Sequence, residues 1–135
     1  MRKKTKKNDQ SVNNRNKTDP LKLTMARVFF FLNSALWLAY GIYIYYDMAI
    51  ANSNKNSADV VTLFVFVNAG LLLFSGVKFG KPQKWTYYFA LVVVAFNTLL
   101  TLLNIVDLYF LVSFLIDLLI LWAVIPLRRQ YFPKP

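Results

Sequence analysis

The chain has 135 residues, of which 57% are hydrophobic, 17% aromatic and only 16% charged, with a net charge of +10. Soluble globular chains average about a quarter charged residues, so this composition argues against a protein that folds in water. The sequence contains no cysteine, histidine or glutamate. These absences exclude disulfides, thiolate or histidine metal sites and the commonest general bases. We therefore predict no enzyme, no cofactor and no metal site.

Residues 1–24 form a polar, basic tail with almost no apolar residues, and we expect this tail to be disordered. Its leading charge run consists of Arg2, Lys3, Lys4, Lys6 and Lys7. Such a run can be attracted to anionic lipid headgroups beside a membrane. Alternatively, it can act only as a topological signal that keeps this end in the cytoplasm. The run lacks interleaved aromatic residues, so we expect no nucleic-acid partner.

Four apolar stretches follow the tail. They lie at about residues 25–46, 60–77, 85–103 and 108–126. A helix needs about 20 apolar residues to cross the hydrocarbon core of a bilayer, and each stretch is close to that length. The first stretch is longer than the ~7–15 apolar residues of a signal peptide, so we interpret it as a span. The sequence thus predicts an all-α, integral membrane four-helix bundle over residues 25–127, with a short tail at 128–135.

The segments between the stretches are short. We expect a polar loop over Asp47–Asp59 and a second loop over Lys78–Lys84. The turn Asn104–Asp107 is so short that the third and fourth helices should be antiparallel neighbours. Pro126 and the two arginines after it are predicted to end the fourth helix.

The basic residues are distributed unevenly between the two sides of this predicted bundle. Fifteen of the sixteen Lys and Arg residues lie in or beside the N-terminal tail, the second loop and the C-terminal tail, and the other is Lys55. By the positive-inside rule, both termini should be cytoplasmic, at the cell membrane. Besides the N-terminal charge run, the predicted contacts for anionic lipid headgroups at the cytoplasmic face are Lys81, Lys84, Arg128 and Arg129.

Asp117 lies near the middle of the fourth stretch, and no Lys or Arg lies at the same depth in the chain. A charged side chain at the centre of a bilayer costs about 2.5–3.5 kcal/mol. Asp117 can be protonated, accept hydrogen bonds from other helices, or meet a cation from a partner, a substrate or a water-filled cavity. Asn97 and Asn68 lie at similar predicted depths. They are the predicted partners of Asp117, together with Tyr40 or Trp37 of the first helix.

Two functions remain open at this point. A small membrane subunit or scaffold would use this polar cluster for packing or assembly, through interhelical hydrogen bonds worth about 0.6 kcal/mol each. An oligomeric proton-coupled transporter of small solutes would instead use Asp117 as its proton-exchange site. Four short spans offer little interior for a conduction path. We therefore expect a homo-oligomer or a membrane-protein partner.

Overall fold

The computed structural model describes residues 19–51, 55–81 and 83–132, which form four long α-helices. Helix α1 is Pro20–Tyr46, α2 is Lys55–Lys78, α3 is Lys84–Leu103 and α4 is Leu108–Tyr131. The prediction of four helices long and apolar enough to cross a membrane is confirmed. The predicted lipid contacts Arg2, Lys3, Lys4, Lys6 and Lys7 lie outside the described residues.

Helix α1 begins inside the tail that the sequence predicted to be disordered. Asp19 is its N-cap, and the Asp19 carboxylate accepts a hydrogen bond from the backbone N–H of Lys22 at 3.4 Å. Pro20 occupies the first helical position, where the missing N–H of proline costs nothing. The helix therefore starts five residues before the predicted span, because its capping signal precedes the apolar stretch.

The polar loop predicted over Asp47–Asp59 is helical at both ends, because α2 already begins at Lys55, five residues before the predicted span. Residues Asp47–Ala51 form a π-helical segment that continues α1. The backbone N–H of Asp47 donates to the carbonyls of both Tyr43 and Ile44, so helical hydrogen bonding continues past Tyr46 into this segment.

Helix α4 continues through Pro126 to Tyr131, although the sequence predicted that Pro126 would end it. The last turn is held by packing. The Tyr131 ring is buried against Phe79 and Tyr87, with ring centroids 5.2 and 5.3 Å away. Its hydroxyl also donates to the backbone carbonyl of Phe79. These tertiary contacts compensate for the backbone hydrogen bond that a proline removes.

The four helices pack in a ring, in which α1 and α3 each contact α2 and α4. Neighbours are antiparallel, as the contacts of Arg27 with Gly76 and of Gly41 with Val65 illustrate for α1 and α2. We call the end that holds the α1–α2 connection and the turn at 104–107 the hairpin end. The opposite end, where α1 begins, α2 leads into α3 and α4 finishes, is the terminal end.

Two glycines let α1 and α2 approach closely. A β-carbon added at Gly76 would lie 3.0 Å from Cβ of Phe30, and one added at Gly41 would lie 3.0 Å from Cγ1 of Val65. Both distances are too short for comfortable carbon contacts, so small residues at these positions set the spacing of the helix pair.

The outer surface of the bundle is apolar, and polar side chains are buried in its interior. Large hydrophobic side chains are exposed on all four helices, among them Val28, Leu63, Val67, Val92, Leu99, Leu115 and Ile125. Asn33, Asn68, Asn97 and Asp117 are buried. This distribution is inverted relative to a water-soluble bundle, in which exposed apolar patches are small.

Candidate functional site: a buried carboxylate network

Asp117 is fully buried at the centre of the bundle, on the side of α4 that meets α1 and α3. Asn33 Nδ2 on α1 donates to Asp117 Oδ1 at 2.7 Å. Asn97 Nδ2 on α3 lies 2.9 Å from Oδ1 and 2.7 Å from Oδ2, so it bridges the two carboxylate oxygens. The Thr101 hydroxyl makes a longer contact with Oδ2, at 3.5 Å. Donors from two helices thus converge on one acceptor.

A second amide extends the network to α2. Asn68 Nδ2 donates to Asn97 Oδ1 at 2.7 Å. Because the Asn97 oxygen is engaged by Asn68, its amide nitrogen is turned toward Asp117. The four helices are therefore joined through four side chains, one from each helix, that meet at the middle of the bundle.

A further branch approaches Asp117 from the hairpin end. Trp37 Nε1 donates to Ser113 Oγ at 3.1 Å, and Ser113 Oγ donates to Asn33 Oδ1 at 2.8 Å. This contact holds the Asn33 amide with its nitrogen directed at the carboxylate. Every hydrogen bond in the two branches runs toward Asp117, which is the pattern expected around an acceptor with two oxygens.

Within the described part of the chain, Asp117 receives hydrogen bonds from neutral donors only. No Lys or Arg in residues 19–51, 55–81 and 83–132 forms an ion pair with it, and the ion pair found there joins Lys22 to Asp19 at 3.8 Å. Amide donors can stabilise a buried carboxylate because charge-assisted hydrogen bonds are stronger than neutral ones.

Two buried polar atoms near this network have no hydrogen-bond partner within the described residues. They are Oδ1 of Asn68 and Oγ1 of Thr62, both on α2. An unpaired buried polar atom costs about 1–3 kcal/mol, so each of them is a site where a small hydrogen-bonding molecule would be stabilising.

The structure brings together three of the four residues that the sequence assigned to the polar cluster. Asp117, Asn97 and Asn68 meet as described, but Tyr40 does not join them. The Tyr40 ring stacks on Tyr109, with centroids 4.4 Å apart. Tyr40 is seven residues, or about 10 Å, farther along α1 than Asn33, and this offset places it near the hairpin end.

Sequence analysis missed Asn33, Ser113 and Thr101 as partners of the cluster. The signal was present, since Asn33 shares a helical face with Trp37. Ser113 likewise precedes Asp117 by one helical turn, and Thr101 follows Asn97 by one. Depth alone does not reveal which of several polar residues on neighbouring turns reaches the carboxylate, because that depends on how the helices are rotated.

The four predicted lipid-contacting residues that are described all lie at the terminal end. Lys81, Lys84, Arg128 and Arg129 are exposed there. The Lys84 ammonium lies 5.8 Å from the centroid of the Phe132 ring, which it covers. Positive charge is therefore concentrated at one end of the described bundle.

No group of three or more acidic, histidine or cysteine side chains that could hold a metal ion occurs among the described residues. Neither a protein-family model, a curated protein nor a solved structure matches this chain.

Proposed function

We propose that this chain is an integral membrane protein that crosses the bilayer four times and acts as a small membrane subunit or scaffold. One observation carries the proposal: an apolar outer surface encloses a polar network whose central carboxylate takes its hydrogen bonds from the same chain. Asp117 receives its hydrogen bonds from Asn33 and Asn97, both on its own chain. The carboxylate therefore supports the packing of these helices without a cation from a partner.

The physical reason for such a network lies in the solvent. Lipid tails are as apolar as leucine, so no hydrophobic force drives helices together inside a bilayer. Close packing and interhelical hydrogen bonds take that role. The Gly41 and Gly76 contacts bring α1 and α2 together, and the network then ties in α3 and α4.

We further propose that both termini face the cytoplasm and that the terminal end contacts anionic lipid headgroups. The exposed charges of Lys81, Lys84, Arg128 and Arg129 support this orientation. Anionic lipid added to detergent-solubilised protein should raise its Tm, and high salt should remove the increase. Equal stabilisation by zwitterionic lipid would contradict a headgroup interaction.

Substitution of Asp117 tests the structural role. Asp117→Ala leaves the amide donors of Asn33 and Asn97 without their acceptor, and it should lower the free energy of unfolding in detergent by about 1–3 kcal/mol. Asp117→Asn retains one acceptor oxygen and should lose less. Unfolding followed by circular dichroism gives both values. If Asp117→Ala were as stable as the parent chain, the network would have no structural role.

The subunit or scaffold role predicts a complex. Purification in mild detergent, followed by mass measurement and identification of co-purifying proteins, should reveal a homo-oligomer or a membrane-protein partner. A stable monomer, with nothing co-purifying under conditions that retain its fold, would argue against this role.

A second candidate is an oligomeric transporter that couples a small solute to a proton bound at Asp117. The observation in its favour is the absence of an ion-pair partner for this buried carboxylate in the described residues. In proteoliposomes, such a transporter would show solute-dependent proton movement that Asp117→Asn abolishes. Identical proton movement in the parent and the variant would exclude it.

A further inference from the structure

The interior of the bundle differs between its two ends. In the half toward the terminal end, the buried core consists mainly of large apolar side chains, namely Phe30, Leu72, Phe79, Val94, Ile120, Val124 and Leu127. The polar residues Asn33, Asn68, Asn97 and Asp117 occupy the centre, and on the hairpin side of them the polar Thr62, Thr101 and Ser113 are buried together with Trp37, Val65 and Ala58. Water is therefore accommodated more readily on the hairpin side of Asp117 than on the terminal side.

The few polar side chains in the terminal half are already satisfied. The Ser75 hydroxyl donates to the Leu71 carbonyl at 2.8 Å, and the Thr86 hydroxyl donates to the Gln83 carbonyl at 2.6 Å. Neither offers a site for water in the interior. The packed Phe79 and Tyr131 rings close this end of the core.

On the hairpin side, polar atoms are left without partners. Thr62 lies seven residues inside α2, about 10 Å from its start, and its hydroxyl is unpaired. Asn68 lies about 9 Å deeper, and its Oδ1 is also unpaired. Since Asn68 donates to Asn97, which bridges the carboxylate, the second unpaired atom is two hydrogen bonds from Asp117. The two atoms mark successive depths between the hairpin end and the network.

The contacts of Asp117 suit both of its protonation states. The Thr101 hydroxyl lies 3.0 Å from the backbone carbonyls of Asn97 and Thr98, either of which can take its proton. Its oxygen then has a lone pair free toward Oδ2, 3.5 Å away. This hydroxyl can donate to the carboxylate or accept from the carboxylic acid without movement of a helix.

We propose that Asp117 exchanges a proton with water that enters the bundle from the hairpin end only. A hydronium ion delivers the proton to a carboxylate oxygen and leaves as water, and the O–H of the resulting acid donates to Thr101. The unpaired atoms of Thr62 and Asn68 hold the entering water, and the apolar terminal half blocks passage to the other side. The proposal rests on the membrane-spanning arrangement proposed above.

No charged side chain intervenes between Asp117 and the hairpin end among the described residues that pack around it. The nearest titratable groups toward that end are Tyr40 on α1 and Tyr109 on α4. Toward the terminal end they are Arg27 on α1, Lys78 on α2, Tyr87 on α3, and Arg128 and Tyr131 on α4. Asp117 is thus the acidic group at the centre of the described bundle.

Cysteine accessibility tests the route directly, because the chain contains no cysteine of its own. Single variants Thr62→Cys and Ser75→Cys, both on the buried side of α2, are reconstituted in vesicles and treated with a membrane-impermeant thiol reagent. A Val106→Cys variant, at a fully exposed position of the turn, identifies the compartment that the hairpin end faces. From that compartment, Thr62→Cys should react at least about tenfold faster than Ser75→Cys, because only the hydrated thiol ionises readily.

Leu63→Cys is the matched control for the membrane itself. Leu63 follows Thr62 at nearly the same depth but is 67% exposed on the outside of the bundle. A thiol there should be unreactive if it faces lipid, and its reaction would overturn the membrane-spanning arrangement. If Leu63→Cys is unreactive, two results would overturn only the one-sided route. One is an unreactive Thr62→Cys, and the other is equal reaction rates for Thr62→Cys and Ser75→Cys.

Infrared spectroscopy of the parent chain provides a test without a cysteine variant. The carbonyl band of a protonated carboxylic acid, assigned to Asp117 by its loss in Asp117→Asn, should disappear reversibly when the pH is raised in the hairpin-end compartment. Raising the pH in the other compartment alone should leave the band unchanged. A band that responds to the terminal-end compartment, or to neither, would contradict the proposal.

Discussion

At the scale of single residues, the molecule depends on how amide side chains are oriented. An asparagine has one donor group and one acceptor group, so its direction is fixed only when both are engaged. Asn97 meets this condition, because its oxygen accepts from Asn68 and its nitrogen donates to Asp117. Asn97, on α3, therefore links α2 to α4. Its loss should disturb the packing of more helices than the loss of another residue in the network.

Replacing Asn97 by alanine should lower the free energy of unfolding by about 1–3 kcal/mol, since it leaves Asp117 and Asn68 each short of a partner in the interior. Asn104→Ala, at the C-cap of the same helix, is the control. Asn104 is exposed, and its side chain donates only to the nearby Leu100 carbonyl. Chemical unfolding in detergent compares the two variants. Equal losses would mean that burial in the network adds nothing.

How far the sequence predicts this site can be judged from Asn97 and Tyr40. Asn97 and Asp117 each lie ten residues from Asp107, at the end of a short turn, so the geometry of a hairpin predicts similar depths for them. No such constraint links α1 to α4, because they are distant in sequence. Whether Asn33 or Tyr40 reaches Asp117 depends on how α1 and α4 are positioned against each other. Only the three-dimensional structure shows that position.

At the scale of the helices, two ends differ from what the local sequence predicts. Pro126 would end an isolated helix, yet α4 continues because Tyr131 is buried beyond it. The polar residues after Tyr46 predict a loop, yet the chain continues as a π-helical segment. Apolar lengths thus predict the number of helices well. Helix ends are predicted less well, because tertiary contacts outside the apolar stretches determine them.

The α1–α2 pair offers a test of close packing. Gly76→Leu would place a β-carbon 3.0 Å from Cβ of Phe30 and force the two helices apart. Overpacking of this kind costs about 1–3 kcal/mol, so the Tm in detergent should fall. Gly70→Leu is the control, because a β-carbon there meets no atom within 4 Å. It should leave the Tm nearly unchanged, and a fall as large as that of Gly76→Leu would contradict this account of the interface.

At the scale of the whole molecule, the bundle has an apolar exterior and a polar centre, and its four helices are long and apolar enough to cross a membrane. Antiparallel helices place the two termini of the bundle and the α2–α3 connection at one end, and the α1–α2 and α3–α4 connections at the other. With positive charge concentrated at the terminal end, the expected arrangement in a cell has that end in the cytoplasm.

Reporter fusions test this arrangement. A reporter that is active only in the cytoplasm should be active when fused after Pro135, and one inserted at Val106 should be inactive. A reporter that is active only outside the cytoplasm should give the opposite pair of results. Activity of the same reporter at both positions would be incompatible with four crossings, because Pro135 and Val106 are separated by a single span.

The carboxylate at the middle of the bundle joins two helices that are not themselves neighbours. Asn33 on α1 and Asn97 on α3 share Asp117 as a partner. The most direct measurement is a double-mutant cycle of Asn33→Ala and Asn97→Ala, with unfolding free energies measured in detergent. We predict an interaction energy above about 0.5 kcal/mol that vanishes when Asp117 is also replaced by alanine. Simple additivity of the two substitutions would contradict the claim.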